Sequence, residues 1–140
     1  MESLYTAAVT ANGREGRAVS SDGLLDLALA PPPAFGGAEQ PAGTNPEQLF
    51  AAGYAACFAS ALGAVGRGAG ADTRDASVTA EVGIGKDAAD EGYRLAVTLR
   101  VELPPSLEGE TGRSLVEQAH QLCPYSKATR GNVEVSLVIE

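Results

Sequence analysis

The sequence predicts an α+β fold, with antiparallel sheets around one long buried central helix. Three observations carry this. Five segments alternate apolar with polar or small residues at a period of two, and a sixth reads as extended. One segment, Asn45 to about Val65, is apolar nearly all round. The order is three strands, helix, two strands, helix, strand, with short hairpin-like connections and none of the regular β–α alternation of a parallel sheet. At 140 residues the chain suits one domain, 1–140, with enough Val, Leu, Ala and Ile for one core.

Tyr5, Ala7, Val9 and Ala11 alternate with Thr6, Ala8 and Thr10, as a strand does. Residues 11–16, ANGREG, read as a turn, and Arg17 to Ser20 resume an extended run. Asp22-Gly23 makes a second turn before the alternating Leu25, Leu27 and Leu29. Residues 30–44 are rich in Pro and Gly and read as loop. The first helix starts at Asn45: Asn caps well, Pro46 suits the first helical position, and Gln48 is spaced to close a capping box. Its end falls near Val65, before GRGAGAD. A domain this small cannot easily wrap such a helix, so a partner subunit is expected to cover part of it.

Val78, Ala80, Val82 and Ile84 form the next strand, and Tyr93 to Leu103 a cleaner one that Pro104-Pro105 stops. A second helix runs from about Glu110 with Leu115, Val116, Ala119 and Cys123 along one stripe, and Pro124 ends it. Arg130-Gly131-Asn132 is a turn, and Val133, Val135, Leu137 and Ile139 form the last strand.

The net charge of −8, with two lysines and scattered arginines, argues against nucleic-acid binding, which needs a basic face. The chain opens MESLYTAAVT, without a secretory pattern. The apolar run from Leu49 to Val65 is too rich in Ala and Gly for a membrane span, includes Ser60, and follows Glu47 and Gln48 with no basic anchor. A cytoplasmic protein is the expectation, and its two cysteines are then reduced thiols or a redox pair.

Cys57 in an apolar helix reads first as a small hydrophobe, since burial raises a thiol pKa. A reactive thiolate needs a cation, and no Lys or Arg lies between residues 18 and 66. Arg14 and Arg17 are the candidates. Cys123, at a helix C-terminus where the macrodipole is negative, suits a resolving thiol better than an attacking one. His120, one turn earlier, could join Cys123, Cys57 and Glu47 around a metal, although a lone His there more often caps or packs. Glu47 either compensates the helix dipole or holds an arginine. It lies ten residues before Cys57, about 15 Å along a straight helix, so the two cannot touch within that helix. Either an arginine spans between them or Glu47 comes from a neighbouring subunit.

Three stretches, GREGRAVSSDGLLDLAL, GTNPEQLFAAGYAACFASAL and AHQLCPYSKATRGNVEVSLVIE, resemble the organic hydroperoxide resistance proteins, the Ohr branch of the Ohr/OsmC superfamily. The resemblance covers nearly the whole chain, and the DGxLxL and CPYSxATRGN stretches favour this branch over its OsmC relatives. Asn12 stands where the family commonly has glycine, and the Pro-rich loop is slightly longer, which keeps Arg17 beside Arg14 as a candidate. The resemblance implies an intertwined homodimer with two sites at its interface.

It also implies a cysteine-based, lipoyl-dependent thiol peroxidase with no bound cofactor or metal. Cys57 falls on the family's peroxidatic cysteine, Cys123 on its resolving one, Arg14 on its catalytic arginine and Glu47 on the glutamate of NPEQLF. The implied chemistry is attack on an organic hydroperoxide, a Cys57 sulfenic acid, a Cys57–Cys123 disulfide, and recycling by dihydrolipoyl groups on lipoylated proteins. Phe50, Tyr54 and Phe58 are the expected apolar walls for alkyl and fatty-acid hydroperoxides. An OsmC-type peroxidase and a non-enzymatic binding module of the same fold are the rival readings.

Overall fold

A computed structural model describes all 140 residues and divides them into two compact units, Met1–Leu49 and Phe50–Glu140. The first unit is a three-stranded antiparallel sheet of β1 (Val9–Ala11), β2 (Gly16–Ser20) and β3 (Asp26–Leu29), in that order. β1 is shorter than the alternation from Tyr5 suggests. β2 turns away after Ser20, so residues before Val9 have no strand opposite them. That turn is built by side chains: Asp22 Oδ1 accepts from Ser20 Oγ at 2.6 Å and from the Leu24 N–H at 3.0 Å. The loop over residues 30–44 is more ordered than its composition implies. It holds a 3₁₀ turn at Pro33–Phe35, and Thr44 returns to bond the Ala28 carbonyl beside β3.

The helix α1 (Pro46–Ala69) begins in the first unit and continues through the second. Asn45 caps it, its Oδ1 accepting from the Gln48 N–H at 2.8 Å. The second half of the expected capping box is not made, because Gln48 Oε1 instead accepts from Thr44 Oγ1 at 2.6 Å. The helix runs four residues past Val65 and stops where Gly70 turns left-handed at φ 69°.

In the second unit β4 (Ser77–Lys86) and β5 (Tyr93–Glu102) form a ten-residue antiparallel ladder. β6 (Glu134–Ile139) joins β5 in parallel, which corrects the expectation of wholly antiparallel sheets. The physical reason is the crossover between them: α2 (Glu110–Leu122) and α3 (Pro124–Thr129) carry the chain back, so β6 enters from the same end as β5. Pro124 ends α2 as expected but also opens α3, a helix absent from the sequence reading, with Pro at its first position.

Tyr54, Phe58, Ala61 and Leu62 of α1 pack with Val97, Leu99 and Val101 of β5 and with Leu115, Val116 and Ala119 of α2. Length and composition alone would let α1 cross a membrane; its packing makes it the core helix of this unit. Within one chain its burial is one-sided, with Ala52, Ala56, Ala59 and Ser60 exposed. The chain's own elements leave that face uncovered, as expected of a domain too small to wrap the helix by itself.

Candidate active site

In the first unit, Arg14 lies in the bend between β1 and β2, and Glu47 lies in the first turn of α1. Their side chains form a two-pronged ion pair, with Arg14 Nη1 donating to Glu47 Oε2 at 2.9 Å and Nη2 to Oε1 at 2.7 Å. The Glu47 side chain is 13% exposed and that of Arg14 38%. The hydrogen bonds from Arg14 hold the Glu47 pKa below the usual carboxylate value, and the same bonds raise that of Arg14. The Arg14 guanidinium also rests over the Phe35 ring, 5.1 Å from its centroid. Phe35, at the end of the 3₁₀ turn, carried no sequence signal beyond being the one aromatic in the Pro-rich loop.

Arg17 is differently engaged. It lies on β2 and donates from Nε to Asp26 Oδ1 at 2.7 Å, an exposed pair across the β2–β3 ladder. The structure therefore joins Arg14, not Arg17, to Glu47, and it does so within one chain.

In the second unit, α1 carries Cys57 and the joint between α2 and α3 carries Cys123. Both thiols are free, and Cys123 Sγ approaches Cys57 Sγ at 3.4 Å. Cys123 is completely buried and Cys57 partly so. The joint is locally dictated. Cys123 donates its N–H to the Ala119 carbonyl as the last bond of α2, and Pro124 forces it into the extended region, ψ 123°. Burial pushes the Cys57 thiol pKa up; the Tyr125 backbone N–H opposes this and Cys123 adds to it.

The three expected wall residues differ in exposure. Phe50 lines an apolar cavity of about 420 Å³ with Leu95, Tyr125 and Val133. Tyr54 and Phe58 have no exposed surface and stand in the core. Tyr125, which carries no sequence signal of its own, packs with its ring tilted against those of Tyr54 and Phe50, at centroid distances of 5.7 and 6.1 Å. Its ring lies against Gly53, where an added Cβ would come within 2.9 Å of the Tyr125 hydroxyl. No group of three or more His, Cys, Asp or Glu side chains converges as a metal site would require. His120 bonds Ser126 through Nδ1, and burial, then the Arg130 charge, lower its pKa.

Residues 36–138 match the family model of OsmC-like proteins. The chain is 48% identical over 137 residues to the organic hydroperoxide resistance protein OhrA of Bacillus subtilis, covering 97% of this chain and 96% of that one. It is 50% identical over 141 residues to an organic hydroperoxide resistance protein of Xanthomonas axonopodis pv. citri, covering 97% and 94%. Among solved structures, OhrB of Bacillus subtilis aligns with a TM-score of 0.87 at 45% identity, over 99% of this chain and 100% of that one. A Vibrio cholerae protein described as a putative organic hydroperoxide resistance protein, with captopril in one of its active sites, aligns at 0.90 and 44% identity, over 99% and 94%. With this coverage at both levels, the chain belongs to the OsmC family, in its organic hydroperoxide resistance branch.

Proposed function

We propose that this chain is a thiol peroxidase that reduces organic hydroperoxides to alcohols. The single observation that carries the reading is the 3.4 Å approach of two free thiols, one buried and one partly exposed. The names of its relatives support the substrate class.

The Cys57 thiolate attacks the distal oxygen of ROOH. The O–O bond breaks, the sulfur gains oxygen as a sulfenic acid, and RO⁻ takes a proton to leave as ROH. The Cys123 thiol then displaces the sulfenic hydroxyl. An S–S bond forms, an S–O bond breaks, and the thiol proton leaves with the hydroxyl as water. A dihydrolipoyl dithiol reduces this disulfide by two exchanges and becomes a cyclic disulfide itself. The partly buried Cys57 needs positive charge to ionise near neutral pH, and Arg14 is the residue we assign to it, oriented by Glu47. Phe50, with Tyr54 and Phe58 behind it, gives the site its apolar character. The working form in this reading is a cytoplasmic homodimer.

The test is turnover. With dihydrolipoamide as reductant, cumene hydroperoxide should be consumed catalytically and faster than hydrogen peroxide. No consumption, or equal support from glutathione, contradicts the reading.

A further inference from the structure

Beside the two thiols runs a buried chain of hydroxyls that the thiol chemistry does not use. Tyr54 Oη lies 2.9 Å from Ser126 Oγ and 3.2 Å from Thr129 Oγ1, and Ser126 Oγ lies 2.8 Å from His120 Nδ1. Tyr54 and Ser126 have no exposed surface, and Thr129 has 4%.

Each hydroxyl owns one proton, and the far end of the chain decides where each goes. Thr129 Oγ1 lies 3.1 Å from both the Tyr125 and the Ser126 carbonyl oxygens. Carbonyls only accept, so the Thr129 proton is committed to them. Tyr54 must then donate to Thr129. With that proton spent, Ser126 must donate to Tyr54, and His120 must donate to Ser126. The opposite polarity would set the Thr129 lone pairs against two carbonyl oxygens where no water can intervene. A neutral His120 thus holds its proton on Nδ1 and its lone pair on Nε2.

The placement of this chain gives it a role. Tyr54 is one helical turn before Cys57 on α1. His120 is nearly one turn before Cys123 on α2, and Ser126 one turn after it on α3. The thiol contact and the Tyr54–Ser126 bond are therefore neighbouring rungs between α1 and the α2–α3 joint. To close a disulfide, the sulfurs must approach from 3.4 Å to about 2.05 Å. Only an anchored joint presents a wholly buried Cys123 along one line. We infer that His120, Ser126, Tyr54 and Thr129 form a one-way hydrogen-bond chain that positions Cys123 for closure onto Cys57. The closure step rests on the peroxidase reading; the proton order does not.

His120 is the only histidine, so its ring nitrogens can be read by ¹⁵N NMR without assignment. At mildly alkaline pH the full-length protein should show the Nδ1–H tautomer, and Ser126→Ala should lose it. After one equivalent of cumene hydroperoxide, Ser126→Ala and Tyr54→Phe should slow disulfide closure about tenfold more than they slow Cys57 oxidation. Thr129→Ser, which keeps the hydroxyl, should retain the wild-type tautomer and closure. An Nε2–H tautomer in the wild type overturns the inference, as does closure at the wild-type ratio in Ser126→Ala or, should that variant not fold, in Tyr54→Phe. Closure driven by diamide needs no peroxide. Slowed diamide closure in a protein that no hydroperoxide oxidises would sink the peroxidase reading and leave the positioning chain standing.

Discussion

Cys57 Sγ and Cys123 Sγ lie 3.4 Å apart, one on the long helix α1 and the other at the joint where α2 gives way to α3. They are 66 positions apart in the chain, and no disulfide joins them. The asymmetry of their surroundings fits the roles proposed for them, with Cys57 partly exposed and Cys123 fully buried. Cys57→Ser should abolish turnover. Cys123→Ser should still be oxidised once per chain, leaving a sulfenic acid that dimedone captures, and should not sustain turnover. Mass spectrometry of the dimedone adduct checks this; an adduct on Cys123 in Cys57→Ser would reverse the roles.

Two arginines flank the first turn of the chain, and their acidic partners differ. Arg14 is held by Glu47, whereas Arg17 is held by Asp26 on an exposed strand pair. Arg14→Ala should raise the Cys57 pKa and slow peroxide attack about tenfold near neutral pH. Arg17→Ala should cost under about 0.5 kcal/mol of stability and leave the thiol pKa in place. A pH profile of Cys57 alkylation in both variants measures this, and a larger shift in Arg17→Ala would transfer the role.

The Arg14–Glu47 pair also carries an acid signature. The Glu47 pKa is lower in the folded chain than in the unfolded one, so on acidification the unfolded chain takes up the proton first. The contribution is complete above the ordinary carboxylate pKa and is lost as pH falls through the lowered folded value. Because Arg14 is more than one-third exposed, solvent screening keeps the contribution to about 1 kcal/mol. Urea unfolding of wild type and Glu47→Gln should show that gap at neutral pH and its disappearance in acid. A gap that widens in acid would refute the assignment.

Gly112 on α2 tests the packing that supports Cys123. An added Cβ there would overlap the Leu107 carbonyl oxygen and Leu103 Cδ1. Helix propensity alone favours Gly→Ala by about 1 kcal/mol. Backbone overlap should win, and Gly112→Ala should lose about 3 kcal/mol. Thermal or urea unfolding gives the sign directly, and a stabilised variant would mean that the Pro105–Leu107 turn does not approach α2 so closely.

Much of this was legible in the sequence because it is local. Asn45-Pro46 announces the start of α1, and the alternation from Tyr93 announces β5. What was missed depends on contacts distant in the chain or on residues with two meanings. Pro124 stops one helix and starts the next, and only the second meaning reveals α3. The glycines at 66 and 68 looked like a stop, but the chain stays helical until Gly70 can turn left-handed. The parallel pairing of β6 follows from a crossover of two helices, which strand periodicity does not encode. Tyr54 read as a pocket wall because its ring is apolar; its hydroxyl partners lie 72 and 75 residues away. Residue pattern alone left both Arg14 and Arg17 open and the family resemblance favoured Arg14; the fold gives each its own carboxylate.

Thiol counting after one equivalent of cumene hydroperoxide tests the central claim most directly. Wild type should lose both thiols together and yield one intrachain Cys57–Cys123 disulfide, while Cys123→Ser should lose its single thiol to a sulfenic acid. Retention of both wild-type thiols, or a disulfide joining two chains through Cys57 alone, would contradict the account.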